Sequence, residues 1–352
     1  MKNIYKAIGL MSGTSLDGVD AALISTDGED FVKCEGFVSI PYSDDLREKI
    51  RAVFGKKADQ AQDIERELTL VHAEAVKMLI SETGADDVDI IGFHGQTISH
   101  APDEGWTCQI GDGALLSEMT GIKVVNDFRT ADVKAGGQGA PLIPIYHKAL
   151  SATLEKPTVF LNIGGVANIT YIDKNGELTA FDTGPGNALL DDWMLKHGDQ
   201  KYDDGGRTAS TGVINGDIIF KFLSNKFFTK PAPKSLDRNE FASDLLEGLS
   251  LRDGAATLTA FTVRSIAKGF ELLPEAPKKI IVAGGGRHNK VMMAGLKQYA
   301  EVISIDSLGL NGDATEAEGF AYLAVRSIKK LPISFPMTTG APEPLTGGTL
   351  CE

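Results

Sequence analysis

Ile8-Gly9-Leu10-Met11-Ser12-Gly13-Thr14-Ser15-Leu16-Asp17-Gly18-Val19-Asp20-Ala21-Ala22-Leu23-Ile24 joins two apolar, strand-like runs through a turn of hydroxyl, glycine and carboxylate residues. A hairpin turn with no further duty needs one glycine or an Asn-Gly pair. This one offers more. Gly13 lets a backbone approach a phosphate closely, Thr14 and Ser15 present hydroxyl and amide donors, and Asp17 can hold a hydrated cation. The composition describes a polyanion site carried on a β-hairpin.

The same order of elements returns later in the chain. Residues 4–11, 19–25 and 31–40 read as three successive strands, and 159–163, 166–172 and 178–181 read as three more around Gly164-Gly165. A strand, small-residue turn, strand, strand unit occurring twice implies two related halves. Between them, apolar positions at Ile64, Leu68, Val71, Ala75, Met78 and Leu79 repeat with helical period over 58–82. A buried strand is expected at 88–93, a helix at 111–120 ending on Gly121, and a strand at 122–125. Further helices are expected at 188–196, 212–223, 240–247, 254–273, 289–299 and 314–328, with strands at 279–283 and 302–305. The tail from Leu331 is rich in Pro, Gly and Thr and reads as irregular. Strands with helices between them argue for α/β layers. A crossing between domains is expected at Lys134-Ala135-Gly136-Gly137-Gln138-Gly139-Ala140-Pro141.

Bulk properties bound the function. At 352 residues the chain is long for one core and implies two domains. It is 42% hydrophobic and 24% charged, with net charge −13 and no basic cluster of the kind that binds nucleic acid or a membrane surface. Cys34, Cys108 and Cys351 are far apart, odd in number and without metal-ligand spacing, as expected in a reducing compartment. No signal-length or membrane-spanning apolar run is visible, so a soluble, cytoplasmic protein is expected.

Five further segments carry chemistry. Asp182 in Phe181-Asp182-Thr183-Gly184-Pro185-Gly186-Asn187 stands where a strand gives way to a helix. There it either presents a carboxylate at a cleft floor or caps the turn, with Asn187 capping the helix. Ala283-Gly284-Gly285-Gly286-Arg287-His288-Asn289 opens a buried strand into a helix through bare backbone, suited to a flat or anionic ligand or to a tight turn alone. It matches neither the dinucleotide fingerprint nor a Walker pattern. His94-Gly95-Gln96-Thr97 and Asn126-Asp127-Phe128-Arg129 place polar groups at strand ends, and histidines without paired spacing argue against zinc. Glu316, in the first turn of a helix, either serves a site or complements the helix dipole.

Together these blocks resemble the sugar-kinase, actin and heat-shock-chaperone superfamily of ATPases. The resemblance narrows to the anhydro-N-acetylmuramic acid kinase family through Gly9–Asp20, His94–Thr97, Gln109-Ile110-Gly111-Asp112, Asn126–Arg129, Gln138-Gly139-Ala140-Pro141-Leu142, Asn162–Asn168 and Asp182–Asn187, in order as far as about Arg326. It implies two actin-like (ribonuclease H-like) α/β domains closing over ATP at a central cleft. Domain I is expected over 1–133 and about 306–352, and domain II over 134–305. The implied reaction is phosphorylation of O6 of 1,6-anhydro-N-acetylmuramic acid with hydrolytic opening of the ring, a step of peptidoglycan recycling and amino-sugar metabolism.

By the same resemblance Asp182 is the base. Gly13, Thr14, Ser15, Leu16, Asp17, Gly18, Val19, Asp20, Gly164 and Gly165 contact the phosphates, and Gly284, Gly285, Gly286 and Asn289 flank the adenosine. Mg²⁺ bridges the phosphates with Asp17 as its partner, while His94, Gln96, Asp127, Arg129 and Glu316 line the sugar pocket. A homodimer is implied, with no nucleic-acid or membrane partner. An ordinary hydroxyl kinase acting on N-acetyl amino sugars, and a chaperone-like ATP switch, are the alternatives. The chain departs from the family at Ser235-Leu236-Asp237-Arg238-Asn239-Glu240-Phe241, where a Lys-Ser-Thr-Gly-Arg-like block is expected, and Glu318 competes with Glu316 as the helix carboxylate.

Overall fold

The computed structural model describes residues 3–236, 240–241 and 243–352, so Asp237, Arg238 and Asn239 of the departing block lie outside the described residues. The chain divides into two compact units, Met1–Ala152 with Ala314–Glu352, and Thr153–Asp313.

In the first unit, β1 (Tyr5–Ser12), β2 (Gly18–Thr26) and β3 (Val32–Pro41) form an antiparallel meander. It continues through α1 (Asp44–Ala52), α2 (Gln62–Thr83), β4 (Ile90–Ala101), β5 (Trp106–Ile110), α3 (Gly113–Thr120), β6 (Val124–Asn126), α4 (Thr130–Lys134) and α5 (Pro144–Leu150). The second unit repeats the meander as β7 (Thr158–Ile163), β8 (Val166–Ile172) and β9 (Leu178–Pro185). Then follow α6 (Ala188–Gly198), α7 (Gly216–Leu223), α8 (Leu251–Phe270), β10 (Lys279–Ala283), α9 (Lys290–Leu296) and β11 (Glu301–Ser304). The chain returns to the first unit as α10 (Thr315–Ile328), α11 (Pro336–Thr339) and β12 (Thr349–Cys351).

The two sheets share one topology. In the first, β4 lies parallel to β1 and β6 parallel to β4, in the order β12-β6-β4-β1-β2-β3, with β5 paired to β4. In the second, β10 lies parallel to β7 and β11 parallel to β10, in the order β11-β10-β7-β8-β9. Each unit is therefore an actin-like α/β layer built on three antiparallel strands extended by two parallel ones.

Each unit buries its own core. In the first, α10 is buried on nearly every side, with Ala317, Phe320, Ala321 and Ala324 packed along it. It reaches the sheet closely because Gly9 and Gly92 carry no side chain: a Cβ on either would strike the carbonyl of Ala317 or Phe320. In the second unit, Phe222 and Phe261 stack with ring centroids 4.6 Å apart, and Phe228 and Phe241 join them edge-on or tilted.

Several expectations are corrected. The crossing expected at Lys134–Pro141 lies inside the first unit, which runs on through α5 to Ala152. The strand expected to end at Phe93 continues as β4 through His94–Thr97, accommodating an irregular register against β1 and β5. Residues 240–247 form only a 3-10 turn at Ser243–Leu246, with Ala242 outside the described residues. The tail is not irregular throughout: α11 follows a bridge at Ser334, and β12 closes the sheet edge beside β6. No helix among the described residues is long and apolar enough to cross a membrane.

The glycine contacts make a direct prediction. Gly92→Val inserts a branched side chain into the α10 carbonyl ridge and costs about 2–3 kcal/mol, as overpacking in a tight core does. Urea unfolding followed by circular dichroism checks it; an unchanged midpoint would contradict the close packing.

Candidate active site

In the first unit the β1–β2 turn is held from behind. Ser12 Oγ donates to Gln96 Oε1 (2.6 Å) and lies 2.7 Å from the Tyr42 hydroxyl, while Gln96 Nε2 donates to the Gly13 carbonyl (3.3 Å). The Tyr42 amide donates to the Asp17 carbonyl and Arg47 Nε to that of Leu16. Leu16 adopts φ 60° and is buried, so it anchors the turn at the cost of a left-handed backbone that a leucine rarely takes. Thr14, Ser15 and Asp17 are left exposed on the outer side. A cavity of 350 Å³ opens there, lined by Gly13, Ser15, Asp17, Gly18, Asp20 and Glu316.

Gln96, expected against the sugar, is fully buried with both ends of its amide committed to this turn and to the Thr97 carbonyl. His94, Asp127 and Arg129 do come together. Arg129 Nε donates to His94 Nε2 (3.0 Å), and Arg129 Nη1 donates to the Gly139 carbonyl (2.6 Å). Nη2 has no partner among the described residues. His94 Nδ1 lies 2.8 Å from the Gly95 carbonyl, so the network assigns the ring proton to Nδ1 and leaves Nε2 as acceptor. Burial first, and then the Arg129 charge, hold His94 well below its usual pKa, so it stays neutral. Burial also lowers Arg129 to about 10, against the pull of Glu316 and Asp132.

Asp127 follows β6 with φ 53° and shares a 210 Å³ cavity with His94, Asn126 and Thr130. Backbone strain of this kind persists where the surroundings impose it. Asp132, which sequence reasoning missed, accepts from the Gly139 amide and from Thr339 Oγ1, so the tail positions the loop that receives Arg129.

The two carboxylates of α10 separate cleanly. Glu318 is buried against the Tyr146 hydroxyl (2.7 Å), whereas Glu316 lines the cavity beside the β1–β2 turn. Glu316 stays open to solvent yet is closely surrounded by protein; burial raises its pKa, Arg129 opposes the rise and Asp20 adds to it.

In the second unit the corresponding turn, Gly164-Gly165, is stapled by backbone. The Asn187 amide donates to the Gly164 carbonyl (2.8 Å), those of Gly186 and Ala188 donate to Gly165, and Asn187 Nδ2 donates to the Ile163 carbonyl (3.0 Å). Asn187 makes no side-chain cap on α6; it ties the turn to the helix start. A Cβ on Gly164 or Gly165 would meet only ordinary contacts, so this backbone is open.

The three glycines after β10 divide their duties. A Cβ on Gly284 or Gly286 would strike Asn162 or Ile163, so these two allow close packing on β7. Gly285 is open and lines a 350 Å³ cavity with Asn187, Tyr202, Asp203, His288 and Asn289. Asn289 Oδ1 accepts from the Val291 and Met292 amides, capping α9, and its buried Nδ2 has no partner among the described residues.

Asp182 lies within β9, not after it, and caps no local turn. Its Oδ2 accepts from the Leu236 amide (2.8 Å), and its own amide donates to the Lys234 carbonyl (2.9 Å). Oδ1 has no partner among the described residues. Burial raises the carboxyl to about 6, against the Leu236 hydrogen bond and the Lys234 charge. Lys234 was not singled out from the sequence, although it immediately precedes the departing block. Among the described residues no cluster of three or more His, Cys, Asp or Glu side chains could by itself hold a metal.

Comparison with known proteins identifies the family. The family described as "Anhydro-N-acetylmuramic acid kinase" matches residues 5–352. The chain belongs to this family. Kinases of that name from Rhizorhabdus wittichii and Zymomonas mobilis are each 52% identical to it, over 97% of both chains and over 98% and 99% of the two chains respectively. One from Agrobacterium fabrum is 48% identical over 99% of both. The fold is shared more widely: component A of (R)-2-hydroxyglutaryl-CoA dehydratase from Acidaminococcus fermentans superposes with a TM-score of 0.51 at 13% identity, covering 93% of this chain and 100% of that one.

The His94 network generates a prediction. Nitrogen-resolved imidazole NMR finds the Nδ1-protonated tautomer of His94 unchanged between about pH 5.5 and 8, where an unperturbed histidine would titrate. A titration inside that window contradicts the assignment.

Proposed function

We propose that this protein is an ATP-dependent kinase that phosphorylates O6 of 1,6-anhydro-N-acetylmuramic acid while water opens the anhydro ring at C1. The product is N-acetylmuramic acid 6-phosphate, formed in peptidoglycan recycling and amino-sugar metabolism. The observation that carries the reading is Asp182, a desolvated carboxylate with one oxygen tied to the Leu236 amide and the other unpartnered among the described residues.

The chemistry needs such a group. O6 is locked in an ether bridge and has no proton to lose, so the activated nucleophile is water attacking C1. Asp182 Oδ1 takes the proton from that water, much as the base of an inverting glycosidase does. As the C1–O6 bond breaks, O6 keeps the electron pair and attacks the γ-phosphorus, whose bond to the departing ADP oxygen breaks in turn. Asp182 then returns its proton to solvent. With its pKa near 6, the group is ionised at neutral pH and close enough to it to accept a proton usefully.

The residues fit a nucleotide. Open backbone at Gly13, Gly164 and Gly165 gives amides room to meet phosphate oxygens. The orphaned Nδ2 of Asn289, buried beside open Gly285, is a donor waiting for an acceptor on the base or ribose. Mg²⁺, when bound, neutralises charge between phosphate oxygens, and Asp17, with Asp20 nearby in the same cavity, is its expected partner, since one or two carboxylates plus phosphates suffice. On the sugar side Arg129 Nη2, unpartnered among the described residues, would receive the lactyl carboxylate; His94 is hydrogen-bonded to this guanidinium, Glu316 lies within its field, and Asp127 shares a cavity with His94. Gln96 serves by holding the turn.

The names of the relatives favour this reading over an ordinary amino-sugar kinase. Reaction in ¹⁸O-labelled water tests it: label enters the phosphosugar, and an unlabelled product contradicts hydrolytic opening. Asp182→Asn retains the fold and loses ~10²–10⁴-fold in turnover. In the native enzyme kcat falls as pH drops through about 6, where Asp182 becomes protonated; a profile flat down to about pH 5 would contradict its role as base.

A further inference from the structure

On the reading that Asp182 is the base, we infer that Lys234 is its positioning residue, anchoring the backbone that grips the carboxylate and supplying the one positive charge that acts on it among the described residues. Lys234 Nζ donates to the Phe227 carbonyl (3.0 Å) and sits 4.3 Å from the centroid of the Phe227 ring and 6.0 Å from that of Phe181. Phe181 is the residue before Asp182 on β9. The anchored segment then contacts Asp182 twice: the Lys234 carbonyl accepts from the Asp182 amide, and the Leu236 amide donates to Oδ2. Oδ2 is thereby fixed and Oδ1 presented.

The choice of side chain is informative. A slot between two phenylalanine rings would take methionine or leucine at lower desolvation cost than an ammonium. No carboxylate among the described residues lies within ion-pair distance of Lys234. Its charge is accommodated by a carbonyl and a ring face, which satisfy the ammonium without neutralising it. That charge is left to act on Asp182. Among the described residues the charged groups facing the pair are few: Lys230 and Asp182 act on Lys234, and Lys234 acts on Asp182. Burial, with help from Lys230, lowers Lys234 to about 8 while Asp182 opposes the shift, so it is still cationic at pH 7. Without it, desolvation would push Asp182 further toward its neutral form.

The test compares Lys234→Met, Lys234→Gln and Lys234→Arg with Asp182→Asn in the full chain, each checked for native circular dichroism. Lys234→Gln keeps a donor for the Phe227 carbonyl while removing the charge, and so covers the case in which the methionine variant fails to fold. In Met and Gln variants the acidic limb of kcat moves up by about 0.5–1 pH unit, so that the ratio of kcat at pH 6 to kcat at pH 8 falls ~2–5-fold below native. KM for sugar and for ATP stays within about 2-fold of native, and Lys234→Arg restores the limb. A folded Met or Gln variant with an unmoved limb overturns the inference. Native turnover in Asp182→Asn overturns instead the base assignment on which it rests.

Discussion

Everything distinctive about this molecule depends on a carboxylate that has lost most of its water but kept a single amide donor. On the proposed reading, full desolvation would leave Asp182 protonated and unable to act as the base, and full solvation would leave it too weak. Burial within β9 raises its pKa, and one hydrogen bond from Leu236 and the charge of Lys234 limit the rise. The segment that supplies both is not part of the sheet. It is a stretch of loop tethered by a lysine to a phenylalanine carbonyl, and the second unit's aromatic core provides the ring faces that make such a tether tolerable.

The two glycine turns solve one problem by different means. A turn that offers its amides outward must be held from inside, or its carbonyls go unpaired and its shape is lost. In the first unit side chains do this: Gln96 and Tyr42 hold Ser12 and, from opposite sides, the carbonyls of Gly13 and Asp17. In the second unit backbone amides at the start of α6 do it, helped by Asn187. The duplication of topology is therefore not a duplication of chemistry. Duplicated sheets fix where a turn emerges, and later, local interactions decide how it is braced.

Much of this was legible in the chain. The paired hairpin pattern predicted two related halves because strand alternation and small-residue turns are local signals, and the strands fall close to where alternation puts them. The candidate site residues stood out as residue types for the same reason: glycine, hydroxyl and carboxylate residues cluster in the turn proposed to meet a polyanion. Their duties were less so. Gln96 and His94 stand two apart on β4, yet one is consumed by the turn and the other by Arg129, because an irregular register carries neighbouring side chains into different surroundings. Gly284, Gly285 and Gly286 look alike in sequence and differ only in what lies within reach of an absent Cβ.

The amino-acid order by itself determined the α/β class and the repeated meander, since both are written in near-neighbour composition and period. Only tertiary structure decided that Glu316 and not Glu318 opens to a cavity, that the tail returns as an edge strand, and that a lysine fifty-two residues on from Asp182 stands guard over its charge. Burial and electrostatic field are sums over atoms brought together from distant parts of the chain, and no local pattern carries that sum.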